Sequence, residues 1–267
     1  MKIGDTHVHS LFSTDSSTEM EEMVKKAVEE GLPHICFTDH IDYDYPVEGV
    51  KFDFNMDEYF ASIRGLKEKY SEKILVLAGI ELGMQEHLVD RYEELLKKYP
   101  FDFVIGSQHL VDGSDPYYPS TFDGRTDAQI YRDYFEETLR DVRAFRGFDS
   151  LGHLDYIVRY GRFKTHSYTY SAYSDVIDEI LKILVRRNKA LEINTAGLRK
   201  QLGFPNPSPD VLRRYRELGG TLITVGSDSH KPYSIGFGFE EAGELLKSCG
   251  FTHYAYYVNR KPVFVKL

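Results

Sequence analysis

Two histidines stand two residues apart in the opening run GDTHVHS, His7 and His9. On an extended strand that spacing turns both imidazoles to one face, where they can chelate a single cation. An isolated HxH pair is most often structural, so its meaning depends on what else the chain offers. FTDH presents His40, GIELG presents Glu81, GSQH presents His109, LGH presents His153, and VGSDSH presents both Asp228 and His230. Asp15 follows the first pair in HSLFSTD. Each run closes a short β-rich segment, and six of the seven predicted strands finish in a group able to bind a metal. In a barrel of β/α units the active site is built from such C-terminal strand ends.

These nine side chains exceed the four to six ligands of one ion. Two or three ions sharing bridging carboxylates accommodate them, with Glu81 and Asp228 as the bridges. Mixed imidazole and carboxylate donors suit Zn, Fe or Mn better than Ca or Mg. Grouped cations lower the pKa of a bound water from about 15.7 to about 7, giving hydroxide at neutral pH. The same ions can hold phosphoryl oxygens and steady a departing alkoxide, so in-line displacement at phosphorus by a metal-bridging hydroxide is the expected chemistry. Asp228, Glu81 and His230 are the expected catalytic groups.

The elements that must position these groups alternate along the chain. Strands are expected near 2–7, 34–38, 74–80, 102–106, 149–152, 190–194 and 221–226, and helices near 18–30, 57–70, 86–99, 127–145, 171–187, 208–218 and 239–248. Thr18 and Glu21 have capping-box spacing at the first helix, Met23, Ala27 and Val28 form its apolar stripe, and Gly31 follows its end. Such alternation predicts a parallel sheet with right-handed crossovers. Convergence of ligands from nearly every strand favours closure over an open doubly wound sheet. The expectation is an α/β fold, a distorted (β/α)7 TIM-like barrel in one domain over residues 1–267. HYAYYVNRKPVFVKL reads as one or two further strands about Asn259-Arg260, and 111–126 as a long, functional loop.

Composition narrows the function. The chain has 267 residues, 42% hydrophobic and 28% charged, with a net charge of −9. The acidic balance argues against a general nucleic-acid binder, whereas a cation cluster can still attract a small anion. Cys36 and Cys249 form no CxxC pair, MKIGDTHVHS lacks a signal-peptide core, and no apolar run suggests a membrane span. A soluble, cytoplasmic protein is expected, with no membrane partner and its oligomeric state left open. No GxxxxGK loop occurs, which excludes a P-loop nucleotide motor.

HVHSLFSTD, FTDH, GIELG, GSQH, GHLD and GSDSH, in that order over residues 7–230, resemble the polymerase-and-histidinol-phosphatase (PHP) family. IGSQHLVDG, GHLDYIVRYG and EINTAGLRK resemble its histidinol-phosphate phosphatase branch. The resemblance implies a distorted (β/α)7 barrel, a trinuclear metal site, and hydrolysis of the small phosphomonoester L-histidinol phosphate to L-histidinol and phosphate in histidine biosynthesis. Carried over by motif, His7, His9, Glu81 and Asp228 hold the first ion. Glu81, His109 and His153 hold the second, and Asp15, His40 and His230 the third. Arg199 in GLRK is then expected to grip the substrate phosphate, with Arg159 and Arg162 as further substrate-binding candidates. Alternatives are another phosphoesterase on this scaffold (nucleotide phosphatase, exonuclease or protein-tyrosine phosphatase), an amidohydrolase, or a non-enzymatic metal-binding barrel. The amidohydrolase reading lacks a strand-end lysine to bridge two metals.

Four histidines fall outside the set. His34 begins a strand at the end opposite His40, His87 begins a helix, His253 belongs to the tail, and His166 is a candidate for substrate contact beside Arg162. Tyr117 and Tyr118 of the long loop are candidates to meet an imidazole ring, and Cys36 reads as a small buried residue.

Overall fold

The computed structural model describes residues 2–163 and 168–267; His166 lies outside them. Short apolar runs become strands and the amphipathic segments between them become helices. In chain order these are β1 (Asp5–Val8), α1 (Met20–Glu29), β2 (His34–Phe37), β3 (His40–Ile41), α2 (Met56–Lys69), β4 (Leu75–Gly83), α3 (Val89–Lys98), β5 (Phe103–Ser107) and α4 (Asp127–Ala144). They continue as β6 (Ser150–Leu151), α5 (Ser174–Arg186), β7 (Ala190–Asn194), α6 (Ala196–Arg199), α7 (Pro209–Glu217), β8 (Ile223–Gly226), α8 (Phe239–Ser248), β9 (His253–Val258) and β10 (Lys261–Lys266).

The sheet runs β1-β2-β4-β5-β6-β7-β8, with every pairing parallel. β3 also pairs with β4, so β2 and β3 are one stave broken at Thr38-Asp39. The barrel therefore has seven staves. Where β2 ends, the buried Tyr59 hydroxyl lies between the carbonyls of Phe37 (3.0 Å) and Gly79 (2.8 Å), one donor shared by two buried backbone acceptors. The seam between β8 and β1 closes at its C-terminal end. There Val8 bridges Ser229, the His9 amide donates to Ser229 O at 2.9 Å, and the Asp228 amide donates to His7 O at 2.9 Å. Closure thus falls on three predicted ligands, His7, His9 and Asp228, and on their neighbours Val8 and Ser229.

Helices cover the outside by burying one stripe each. α5 inserts Val176, Ile177, Ile180, Leu181, Ile183 and Leu184, and each such side chain contributes about 1.5–3 kcal/mol of burial. The antiparallel hairpin β9–β10 turns at Asn259 (φ 48°) and Arg260 (φ 64°), the left-handed pair of a tight turn. It plugs the N-terminal mouth of the barrel. Tyr257 stacks on Phe103 and joins Cys36, Leu77, Ile105 and Ala190 in a small apolar cluster. Arg260 bonds Asp149, and the Asn259 amide donates to Asp102 at 3.1 Å. His34 is buried here and stacks on Tyr256 at 4.1 Å, a packing role. With that end sealed, access is through the C-terminal end.

One local expectation fails. The first helix starts at Met20 after Glu19, without a side-chain cap. Thr18 instead donates its hydroxyl to the His230 carbonyl at 2.9 Å, so a side chain with the chemistry of a cap tethers a site loop. A capping box does form at α4, between Thr126 and Gln129. No described helix is long and apolar enough to cross a membrane.

Candidate metal centre

The C-terminal strand ends bring all nine predicted ligands to one place. Glu81, in the second half of β4, is fully buried at the centre. Its Oε2 lies 3.1 Å from His7 Nε2, 3.5 Å from His9 Nε2 and 3.1 Å from His40 Nδ1. Its Oε1 lies 3.2 Å from His109 Nε2 and 3.0 Å from His153 Nε2. Asp228 Oδ1 approaches His9 Nε2 (3.4 Å), His230 Nδ1 (3.7 Å) and His7 Nε2 (4.0 Å). At the mouth, Asp15 Oδ2 lies 3.0 Å from His230 Nε2 and 3.8 Å from His40 Nε2.

Groups of donors close enough to share an ion are His7/His9/Glu81, Glu81/His109/His153, His9/His40/His230 and His40/Asp42/His109. His9 belongs to two of them, since its ring stacks between His40 (4.2 Å) and His230 (4.1 Å).

The donor set fits cations rather than hydrogen bonding. His7 Nε2, His9 Nε2 and Glu81 Oε2 are buried and make no hydrogen bond, although they face one another. Uncompensated buried polar atoms are costly, and three aimed at a common space describe a ligand cage. The electrostatics agree. Burial alone would raise the Glu81 carboxyl, but His7, His40 and His109 outweigh it and hold it well below the usual carboxylate range. Asp228 is likewise held low against its burial by His9, His7 and Arg159. Burial disfavours a charged His40, yet Glu81, Asp15 and Asp42 carry it up to about 9, so positive charge is favoured at that spot. His9 goes the other way: burial, then His230 and His40, keep its imidazole neutral.

Outer groups fix the rings. His7 Nδ1 meets Glu192 Oε1 at 2.6 Å, and His109 Nδ1 meets Asp42 Oδ1 at 2.7 Å. His9 Nδ1 meets Ser13 Oγ at 3.1 Å, and that hydroxyl donates to Asp39 at 2.8 Å. A carboxylate or hydroxyl on one ring nitrogen sets which nitrogen faces inward. Asp39 also accepts from the Ser10 and Ser13 amides at 2.6 and 3.0 Å, and so shapes the loop that carries Asp15. Asp228 sits in the left-handed region at φ 53°. Such backbone clusters at functional sites. Its carbonyl accepts from Arg199, and its neighbour Ser227 is pinned by the buried Asp5.

A cleft of about 340 Å³ opens above the cluster, lined among others by Asp15, His40, His109, His153, Asp228, His230, Arg159 and Arg199. Arg159 is buried, donating to Asp228 Oδ2 (3.0 Å), Asn194 (2.9 Å) and Asn206 (2.8 Å). Arg199 is half-buried and donates to the Ser227 and Asp228 carbonyls at 2.7 and 2.9 Å. Arg162 departs from expectation. Its guanidinium donates to Phe122 O at 2.9 Å, stands beside Asp123 at 3.7 Å, and does not line the cleft. The long loop supplies Asp115 and Tyr117 to the mouth, while Tyr118 stays outside it. His87 pairs with Asp44 at the surface, and His253 is exposed at the start of β9. A larger cavity of about 430 Å³ lies among Lys2, Leu32, Phe239 and Leu267, but no group of converging metal-binding atoms lies there among the described residues.

Glu192, Asp42 and Asp39 are what the sequence reading missed. Glu192 is a charge inside the apolar run ALEIN, and Asp39 and Asp42 flank His40 in FTDHID. Both placements are visible in the sequence, but nothing local shows that Glu192 meets His7 or that Asp42 meets His109.

Fold and site define a class: a seven-stave β/α barrel with clustered cation-binding groups at its C-terminal strand ends. The PHP domain model matches residues 5–196. The chain belongs to the PHP domain family. It is 39% identical to a Clostridium acetobutylicum protein named "Probable histidinol-phosphatase", over 97% of this chain and 95% of that one. It is 34% identical to the Lactococcus lactis histidinol-phosphatase, over 98% and 96% respectively. A crystal structure of histidinol phosphate phosphatase from Lactococcus lactis, complexed with zinc, L-histidinol and phosphate, superposes with a TM-score of 0.90. That chain is 33% identical, and the match covers 98% of this chain and 99% of the other.

Proposed function

We propose that this protein is a metal-dependent phosphomonoesterase that hydrolyses L-histidinol phosphate to L-histidinol and phosphate, a step of histidine biosynthesis. The observation that carries the reading is the cage itself: six imidazoles and three carboxylates gathered on one rim, with the inward atoms of His7, His9 and Glu81 left without hydrogen bonds. The relatives' names and the ligands of the Lactococcus lactis structure supply the substrate.

In this reading the cage would hold three divalent ions of the Zn, Fe or Mn type. His7, His9, Glu81 and Asp228 would hold the first, Glu81, His109 and His153 the second, and Asp15, His40 and His230 the third. When bound, such ions supply Lewis-acid charge to the phosphoryl group and acidify water. The chain's own residues do the rest. Arg199 presents a planar guanidinium at the cleft with two of its five N–H donors engaged by backbone carbonyls, leaving donors for phosphoryl oxygens. Arg159 braces Asp228 and adds positive charge beneath the same surface. Lys200 and Lys231 also line the cleft, so an anionic ester meets local positive charge on a chain whose net charge is −9. Water attacks phosphorus, the P–O ester bond breaks, and the alcohol leaves carrying a proton. Glu81 belongs to both the His7/His9 and the His109/His153 donor groups and would be the carboxylate shared between two ions.

A cytoplasmic location belongs to the same reading, since Cys36 and Cys249 are free, buried thiols. Steady-state kinetics on L-histidinol phosphate against a nucleotide monophosphate, a phosphotyrosine peptide and a generic aryl phosphate test the assignment. A kcat/KM preference for L-histidinol phosphate is expected; a preference for any of the others overturns it.

A further inference from the structure

Asp42 is fully buried and reaches two imidazoles that, in the reading above, serve different ions. One oxygen lies 2.7 Å from His109 Nδ1 in a hydrogen bond, and the other lies 3.4 Å from His40 Nδ1. His109 therefore turns Nε2 toward Glu81 Oε1 at 3.2 Å; His40 Nδ1 stands between Asp42 and Glu81 Oε2 (3.1 Å), which leaves its Nε2 facing Asp15 at 3.8 Å. The carboxylate is seated by its own element. Ile41 pairs with Leu82 on β4, the Asp42 amide donates to Phe52 O at 3.0 Å, and Gly83 lies directly opposite. A Cβ built on Gly83 would fall 1.7 Å from Asp42 Oδ1. The last glycine of GIELG is thus a space requirement for this one carboxylate.

We propose that Asp42 is a positioning residue shared by two cation sites, so that one carboxylate sets the ring orientation of His109 at the second ion and of His40 at the third. The inference rests on the proposed metal reading. It has a consequence that ordinary stabilisation lacks: loss of the carboxylate weakens two ions together and spares the one held by His7, His9, Glu81 and Asp228. The Asp42 carboxylate pairs with His109 and His40 and with none of those four side chains.

The test uses the purified full chain loaded with zinc and dialysed against a graded series of chelator, with zinc per chain counted by mass spectrometry. Asp42→Asn keeps the shape and removes the charge; Gly83→Ala keeps the charge and displaces the carboxylate. Outer-shell losses of this kind typically weaken metal binding roughly 10–100-fold. Both variants should release two zinc ions at roughly 10–100-fold lower chelator than wild type and keep the third ion at the wild-type level. Thermal melting of the metal-free proteins checks that each variant folds. Wild-type retention of all ions in both folded variants overturns the proposal, as does a uniform loss of all ions. A wild-type chain that takes up no zinc would instead remove the metal reading beneath it.

Discussion

Replacing Glu192 with glutamine changes one atom and sets a trap for His7. Glu192 Oε1 accepts from His7 Nδ1 at 2.6 Å, while Oε2 accepts from the His153 amide at 2.9 Å and from Asn194 Nδ2 at 3.1 Å. A glutamine can satisfy one side only. If its oxygen faces His7, its NH2 group meets the His153 amide and the Asn194 side chain donor to donor. If its oxygen faces His153, its NH2 group forces His7 into the tautomer with a proton on Nε2, the nitrogen that looks toward Glu81 Oε2 at 3.1 Å. That proton occupies the lone pair a cation needs. Either arrangement forfeits a charge-assisted hydrogen bond of about 1.5–3 kcal/mol. At about 1.4 kcal/mol per factor of ten, first-ion affinity should fall about 10- to 150-fold. The assay is zinc titration of metal-stripped protein by calorimetry, with kcat/KM on the same samples. A folded Glu192→Gln variant whose zinc affinity and kcat/KM stay within about twofold of wild type would refute the orientation argument.

Other perturbations separate the remaining roles. Arg199→Ala should raise the Michaelis constant for the phosphomonoester about 10- to 150-fold, the loss of one or more charged hydrogen bonds, whereas Arg162→Ala should leave it unchanged. Equal effects of the two would remove Arg199 as the phosphate clamp. His40→Ala should lower activity by several orders of magnitude and leave the far-ultraviolet circular dichroism of the barrel intact; near-normal turnover by that variant would remove His40 from the centre. Asp141 on α4 is buried with one oxygen lacking a hydrogen bond, and burial, then Glu137, raises its pKa from 3.8 to about 7. A raised folded pKa means its contribution is fully present below about pH 4 and lost as pH rises through about 7, with a ceiling of about 4 kcal/mol. Asp141→Asn should therefore raise the melting temperature at pH 8 by several degrees and change it little at pH 4; no gain at pH 8 would contradict the burial argument.

Much of this was legible in the sequence, for definite reasons. Strand and helix positions followed from periodicity, and 190–194 and 239–248 matched β7 and α8 residue for residue. Buried parallel strands and amphipathic helices leave strong patterns in sequence. The broken stave at Thr38-Asp39 was not legible, because β3 has only two residues and no pattern of its own. All nine ligand candidates converge because a parallel barrel places every C-terminal strand end on one rim. The groups that orient them were harder to see, since Glu192 and Asp42 act through contacts between staves far apart in sequence. Thr18 shows the converse error: its spacing to Glu21 suited a cap, but the His230 carbonyl, 212 residues away, was the stronger partner. Arg162 failed for a similar reason, as proximity in sequence to Arg159 did not survive the turn after Tyr160.

The centre as a whole is tested most directly by counting bound metal and measuring turnover of L-histidinol phosphate on one preparation as cations are removed and restored. Activity should vanish with chelation and return in step with refilling of the cage, reaching its maximum at three ions per chain. Turnover that persists in fully stripped protein, or full occupancy without phosphate release, would contradict the account.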